Sequence, residues 1–575
     1  MRLCRFLATV VCAVAMPSLA QGQESDPVAE NGSAPVVERA DPRPGNLNGG
    51  SSYGLFLAGR AAMSRGDGRT ALELLQAALA ASDGETILRE RVFSSAVLAG
   101  DVEAAANAGL VDGESHAALV EAQRLAQVTE AMMARRSRPI YRQLQARPIE
   151  APHQLAGTLL SRWLAADAGD WDAALAPVPD NAETLVRILT AYYRAVLLER
   201  RGRYADAEAQ YSALLLDGTA TGIVRLPYGE FLERRGRRDE AITVYDGGLR
   251  RGADSALQAA RDRAASRGRP PAVSTIRQGA ALALAHAAAA ADVASVNEFV
   301  VAYLRMSLTL DPTTGESWIA LGESLNELGM PLTAREAWSR TPPTAPEYVE
   351  AQIRIATSLD DSGEPEAAAA VARAVSDRSP GPASAFALAA ILLGHDEFRE
   401  VLSVLDSPAA ADAQNWGLEF LRGAAHEQLG EYAQAEAAFQ RALALSPDQA
   451  EVLNYLGYMW VDRGDRVAEG LVMIERAVAA SPEVGNYQDS LGWAQYRQGR
   501  FDEAVQTLER AVALEPGSAV INDHLGDAYW QVGRRREADF QWRQALTLDA
   551  DETLRSAIQA KLAGAAPDVS GAAIP

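Results

Sequence analysis

Apolar, small and turn-forming positions recur along this chain with a step of 34 or 35 residues. Leu456, Leu491 and Leu525 each precede a glycine, and Gly423, Gly457, Gly492 and Gly526 stand 34, 35 and 34 residues apart. Gly430, Gly464, Gly499 and Gly533 follow the same step, as do Ala442, Ala477, Ala511 and Ala545, and Pro447, Pro482 and Pro516. A period of this length is the mark of stacked supersecondary units. Each unit predicts a helix A, a turn glycine, a helix B and a proline-bearing turn. The glycine within helix A lets helix B approach closely. The turn glycine accepts positive φ where helix A ends. Proline closes helix B because it cannot continue the hydrogen-bond ladder.

A shorter mark, glycine with alanine five residues on, carries the phase upstream. It occurs at Gly66/Ala71, Gly100/Ala105, Gly169/Ala174, Gly202/Ala207, Gly236/Ala241, Gly329/Ala334 and Gly363/Ala368. These marks predict about thirteen or fourteen helical hairpins over most of residues 52–562. The phase breaks between Gly236 and Gly329, at the Arg267-Gly268-Arg269-Pro270-Pro271 loop and a longer helix pair. The unit after Gly464 has one extra residue before Gly470, so its helix B starts late. The array divides into N-terminal repeats at 53–272, divergent middle repeats at 273–410 and well-formed repeats at 411–562.

These positions resemble the tetratricopeptide repeat. One unit supplies Gly423, Gly430, Tyr432, Ala435, Phe439, Ala442 and Pro447, and another Leu491, Gly492, Gly499, Phe501, Ala504, Ala511 and Pro516. A third supplies Leu525, Gly526, Tyr529, Gly533, Ala538, Trp542 and Ala545. The resemblance implies an all-α, right-handed superhelical solenoid of antiparallel helix pairs whose A helices line a concave face. Carried over residue by residue, its groove positions put Asn454, Tyr458, Asp489, Trp493, Tyr496, Arg497, Asp523, Asp527 and Trp530 on one partner-binding wall. Aromatics flanked by polar groups are the composition of protein-binding surfaces. Trp493 and Trp530 either meet a partner or pack between neighbouring repeats. His524 reads as a turn-packing residue. Some adaptors of this repeat family clamp a C-terminal carboxylate with Lys, Asn and Arg. Here the matching positions hold Asp489 and Asp523, so a neutral or basic segment fits better. The block Asn454–Tyr458, with Asp489–Trp493 and Asp523–Asp527, resembles envelope adaptors of periplasmic C-terminal-processing proteases.

The first twenty residues read as an export signal. Arg2 and Arg5 precede an apolar run, Phe6 to Pro17, and Ser18-Leu19-Ala20 offers small residues before a cleavage point. That is the order of a secretory leader. Cys4 and Cys12, the chain's two cysteines, fall inside it. A mature chain would then carry no disulfide, thiol nucleophile or cysteine-based zinc site. Thr9-Val10-Val11 before Cys12 is no lipidation signal. Residues 21–52 and 563–575 are polar and aperiodic, and read as a disordered linker and tail. These features predict a soluble periplasmic protein with no integral membrane segment.

Composition narrows the partners. The 575 residues are 48% hydrophobic and 23% charged, with a formal net charge of -22. That balance speaks against nucleic acid, which calls for a basic face. The six histidines form no i, i+4 pair, and His426-Glu427 lacks the second half of a zinc-protease motif. With no phosphate-binding loop and no nucleophile elbow, the expectation is a protein without catalysis, metal or cofactor. The leading functional expectation is a scaffold or adaptor for protein partners, a periplasmic protease or cell-wall hydrolase among them. The alternatives are a part in surface-polysaccharide assembly or export, and an enzyme hidden in His116–Leu185 or Ala272–Met306.

Overall fold

The computed structural model describes residues 51–567, less 178–182, 217–220, 252–254, 293–297, 412–413 and 549. The export signal, nearly all of the linker and most of the tail lie outside the described residues. The chain forms two compact units that meet between Arg354 and Ile355, so the stretch 273–410 is divided between them. The described residues are helical, without strands.

The first unit runs through α1 (Ser52–Ser64), α2 (Gly68–Ala80), α3 (Thr86–Ala99), α4 (Val102–Ala106), α5 (Ala117–Met133), α6 (Ser137–Ala146), α7 (Gln154–Ala168), α8 (Trp171–Ala174) and α9 (Thr184–Arg200). It continues through α10 (Tyr204–Leu216), α11 (Thr221–Arg234), α12 (Arg238–Leu249), α13 (Ser255–Ala265), α14 (Ile276–Asp292), α15 (Glu298–Leu310), α16 (Gly315–Glu327) and α17 (Pro331–Ser339). Helix α18 (Tyr348–Asp361) carries the boundary. The early turns show how local sequence sets the hairpin. Gly66, Gly100 and Gly169 take φ of 76°, 76° and 90°. The aspartate after each, Asp67, Asp101 and Asp170, then caps helix B by accepting the amides of Thr70, Ala104 and Ala173. Such a cap is worth about 1 kcal/mol.

This unit departs from a simple stack in which each hairpin touches only its neighbours. The hairpin α14–α15 packs back onto α3, α5 and α7. Gly279 of α14 makes this possible: a Cβ there would lie 2.1 Å from the Trp163 ring on α7. Arg305 of α15 donates to the Leu98 carbonyl at the end of α3 at 2.8 Å, and a cation there also complements the helix dipole. Tyr193 of α9 meets His286 Nδ1 of α14 at 2.7 Å, and His153 bonds Tyr303 of α15. Farther along, Thr333 Oγ1 at α17 donates to the Gly66 carbonyl at 2.6 Å. The broken phase after Gly236 is thus the point where the chain leaves the stack and returns to pack on its earlier A helices. The alanine-rich α14 buries Ala280, Ala283, Leu284 and Ala287 while Gln278 and Ala289 stay exposed.

The second unit is a regular succession. It contains α19 (Pro365–Arg378), α20 (Pro382–Gly394), α21 (Phe398–Leu405), α22 (Pro408–Ala411), α23 (Trp416–Gln428), α24 (Tyr432–Leu445) and α25 (Ala450–Asp462). After these come α26 (Val467–Ala480), α27 (Gly485–Arg497), α28 (Phe501–Leu514), α29 (Ala519–Gln531), α30 (Arg535–Thr547) and a last helix, α31 (Glu552–Leu562). Its core runs through Phe420, Phe439, Leu456 and Trp460 and on through Ile474, Leu508, Leu525 and Trp542. Burying each of these large side chains contributes about 1.5–3 kcal/mol. The helix-A glycines face the large residue of helix B: a Cβ on Gly423 would meet Phe439 at 2.5 Å, and one on Gly526 would meet Trp542 at 2.5 Å. Between α25 and α26 the two backbones cross closely: a Cβ on Gly457 would lie 2.7 Å from the Gly470 carbonyl oxygen. The extra residue of this unit is absorbed at Arg466, whose φ of 45° lies in the left-handed region. Arg466 is held there by Glu436 at 2.6 Å and by stacking 3.8 Å from the Trp460 ring.

Candidate functional site

The nine groove residues fall on α25, α27 and α29, three successive A helices of the second unit. Repeat stacking brings them onto one face, because positions 34 or 35 residues apart are equivalent. The structure ties most of them to one another from helix to helix. Asp489 of α27 accepts from His524 Nδ1 of α29 at 2.9 Å. The His524 ring stacks on Trp493 at 4.2 Å, and Trp493 stacks on Tyr496 at 4.9 Å. Toward α25, Trp493 Nε1 donates to Asp462 at 3.3 Å and Arg497 donates to the Asp462 carbonyl at 2.7 Å. Tyr496 accepts from Gln531 of α29 at 3.2 Å. The last rung belongs to α31, where Lys561 Nζ donates to Asp523 at 2.8 Å and to Asp527 at 2.8 Å.

The expectation of an exposed wall is therefore corrected. Asn454, Asp489, Trp493, Tyr496, Asp523 and Asp527 are buried, while Tyr458, Arg497 and Trp530 are half-buried. The aromatic and acidic residues alternate because each rung pairs a ring or a carboxylate with the next A helix. Asp489 and Asp523 hold no vacancy for a basic partner group, since His524 and Lys561 of the same chain already fill it. His524 lies inside a helix, not in a turn. Trp493 packs between repeats, the second of its two readings. Trp530 lies 5.5 Å from Trp542, with the Arg535 guanidinium 3.5 Å over its ring.

Electrostatics follows from these pairs. Burial works against a charged His524, but Asp489 and then Asp523 and Asp527 outweigh it and hold its pKa above the ordinary value. Asp527 is raised to about 7 by burial and by the neighbouring Asp523, with Lys561 pulling the other way. Lys561 is held above its ordinary value because the two carboxylates overcome the cost of its burial.

One groove position remains open. Asn454 Oδ1 is buried without a hydrogen-bond partner. Its counterpart Asp489 is met by His524, one position past Asp523. The same place on α27 holds Ser490, whose side chain is too short to repeat that bond. Groove position Asp462 was also legible from the repeat, whereas sequence reasoning missed Lys561 as a member of this set. The signal was available: Lys561 lies about one repeat from the carboxylates it meets.

The chain carries tetratricopeptide repeats. A tetratricopeptide-repeat family model matches residues 418–449 and 486–518, and a second such model matches 192–256. A curated relative, the TPR repeat-containing protein PA4667 of Pseudomonas aeruginosa, is 29% identical over 162 residues. The chain spans only 27% of that relative's length, and the match covers 28% of this chain. Among solved structures, the APC/C hetero-tetramer Cut9-Hcn1 is similar over 88% of this chain and 96% of its own, at 15% identity and a TM-score of 0.41. A tetratricopeptide repeat protein from Parabacteroides merdae is similar over 43% of this chain and 97% of its own, at 14% identity and a TM-score of 0.36. MamA from AMB-1 is 25% identical over 28% of this chain and 93% of its own, with a TM-score of 0.24. The fold assignment rests on the hairpins described above and on the family models.

A repeat array of this kind is a protein-interaction scaffold, and nothing in it points to catalysis. Among the described residues, no group of His, Cys, Asp and Glu is placed to hold a metal ion. No described helix is long and apolar enough to cross a membrane. The described residues of His116–Leu185 and Ala272–Met306 lie in helices α5 to α9 and α14 to α15 and in the segments between them.

Proposed function

We propose that this chain is an exported, non-enzymatic scaffold of the bacterial periplasm that gathers protein partners, a C-terminal-processing protease or a cell-wall hydrolase foremost. The leader-like pattern of Arg2 to Ala20 supports export. The likeness of the α25–α29 block to protease adaptors supports that class of partner. The observation that carries the reading is the open acceptor of Asn454 on an otherwise interlocked wall. Asn454 Oδ1 is buried without a donor, which costs about 1–3 kcal/mol, and a partner's backbone N–H would recover that cost once the Asn454 side chain turns outward to meet it. The interlocked rungs on either side hold the wall rigid, which lowers the entropy lost on binding.

The test joins location to binding. Residues through Ala20 fused to a reporter active only outside the cytoplasm should yield a cleaved, active product. In-cell crosslinking of the full chain should then capture a stoichiometric protease or hydrolase, and Asn454→Leu should reduce that capture while the helical circular-dichroism signal is retained. A reporter that stays cytoplasmic, or capture unchanged by Asn454→Leu, overturns the proposal.

A further inference from the structure

A second candidate site lies within the first unit. Helices α10, α11 and α12 border a cleft of about 460 Å³, within the size range of small-ligand pockets. Leu215, Thr243 and Val244 line it together with Arg225, Arg250 and Arg251. Arg225 of α11 is held against the last turns of α12, where its Nη1 donates to the Val244 carbonyl at 3.1 Å. Gly247 lets two guanidiniums flank one bare stretch of backbone. A Cβ there would lie 2.5 Å from Arg225 Nη1 and 3.6 Å from Arg250 Nη2. Arg251 is engaged within the chain and adds its charge to the cleft. Burial, and then Arg251 and Arg250, lower the pKa of Arg225, as expected of cations that repel one another.

Other arginines of this unit show the usual arrangement. Arg237 meets Glu208 and Glu240, Arg234 meets Glu199, and Arg261 meets Asp246. By contrast, none of the described residues lining the cleft is Asp or Glu. Arg250 is exposed and has no acceptor among the described residues. An arginine just past a helix ordinarily serves its last carbonyls and its dipole. Here Arg225 does so from α11, which leaves Arg250 over. Positive charges gathered this closely cost energy, and an anion between them returns it. A single carboxylate would neutralise one charge. A terminal phosphoryl group carries close to two negative charges at pH 7 and offers three acceptor oxygens. Guanidinium forks meet such oxygens in pairs. We infer that the Arg225–Arg250 cleft binds the terminal phosphoryl group of a phosphomonoester. The inference goes beyond the scaffold reading and does not depend on it.

The test titrates the full chain with inorganic phosphate in low-salt buffer by calorimetry. Arg250→Gln should weaken binding about tenfold. That side chain is exposed, so the melting midpoint should stay where it is. Arg225→Lys keeps a charge but gives up the planar fork, and should weaken binding as well. Absence of phosphate binding, or equal binding by wild type and both variants, overturns the inference. So does acetate binding as tightly as phosphate, which would make the cleft a carboxylate site. Sedimentation with phosphatidylcholine vesicles, with and without phosphatidic acid, then separates two sources of the same group. Arg250-dependent pelleting with phosphatidic acid assigns the phosphoryl group to a lipid head. Phosphate binding without pelleting assigns it to a soluble phosphomonoester. Either result supports the site.

Discussion

His524 on α29 donates to Asp489 on α27 at 2.9 Å while its ring lies 4.2 Å over Trp493 of that same helix. One residue of an A helix is therefore held through its polar edge and its face by the A helix before it. The bond is charge-assisted when His524 is protonated, and its pKa is raised. A histidine whose folded pKa is raised contributes most below its unfolded value of about 6.5 and loses that contribution as pH rises through the folded value. Thermal melts of wild type should fall between about pH 6 and about pH 8.5. Asp489→Asn should lower the melt at the acid end by the equivalent of about 1–3 kcal/mol and flatten the difference. A pH difference equal in the two proteins would show that the pair does not titrate in this range.

Lys561 neutralises two neighbouring carboxylates on α29 from α31, the last of the described helices. Lys561→Met leaves Asp523 and Asp527 facing each other with one cation removed. Breaking a buried pair of this kind costs about 3–5 kcal/mol. Hydrogen exchange should show α29 to α31 losing protection, with the first unit unchanged. Adding Asp527→Asn should recover part of that protection, because the repulsion is then gone.

The acid side has its own sensor in the first unit. Burial lowers the pKa of His286 to about 4, so it stays neutral against Tyr193. Stability from this site is complete above the unfolded value and is lost as pH falls from about 6.5 toward about 4, by up to roughly 3 kcal/mol. His286→Phe should remove that share of the acid sensitivity, read as the difference in melting midpoint between neutral and acidic buffer.

Two glycines seven residues apart should fail for different reasons. A Cβ on Gly526 would stand 2.5 Å from the Trp542 ring, whereas one on Gly533 meets nothing within 4 Å but sits at φ of 82°. Gly526→Ala should cost about 1–3 kcal/mol through crowding, and that cost should shrink when Trp542 becomes Leu. Gly533→Ala should cost about 1–2 kcal/mol through backbone strain and be indifferent to residue 542. A double-mutant cycle in urea separates them.

How much of this was legible in the sequence depends on what each residue answers to. Every turn glycine marked by the repeat phase, Gly66 to Gly533, adopts positive φ, because a helix end imposes that conformation locally and only glycine takes it freely. The wall was placed on the correct helices for the same reason: a fixed step sets which residues share a face. What those residues do there was not legible. Whether Trp493 meets a partner or His524 depends on the rotamer and reach of a side chain on the next helix, and composition is blind to both. The return of α14–α15 onto α3, α5 and α7 was likewise hidden, since repeat phase reports neighbours and says nothing of contacts between residues as distant as Thr333 and Gly66.

The sole lysine of the chain lies between Asp523 and Asp527, and this gives the molecule a built-in proteolytic clock. A lysine-specific endoproteinase has one peptide bond to cut, that between Lys561 and Leu562. With the ammonium held by two carboxylates, cleavage must wait for α31 to lift away. Its rate then counts the openings of the C-terminal cap, one helix at a time, without a label or an engineered residue.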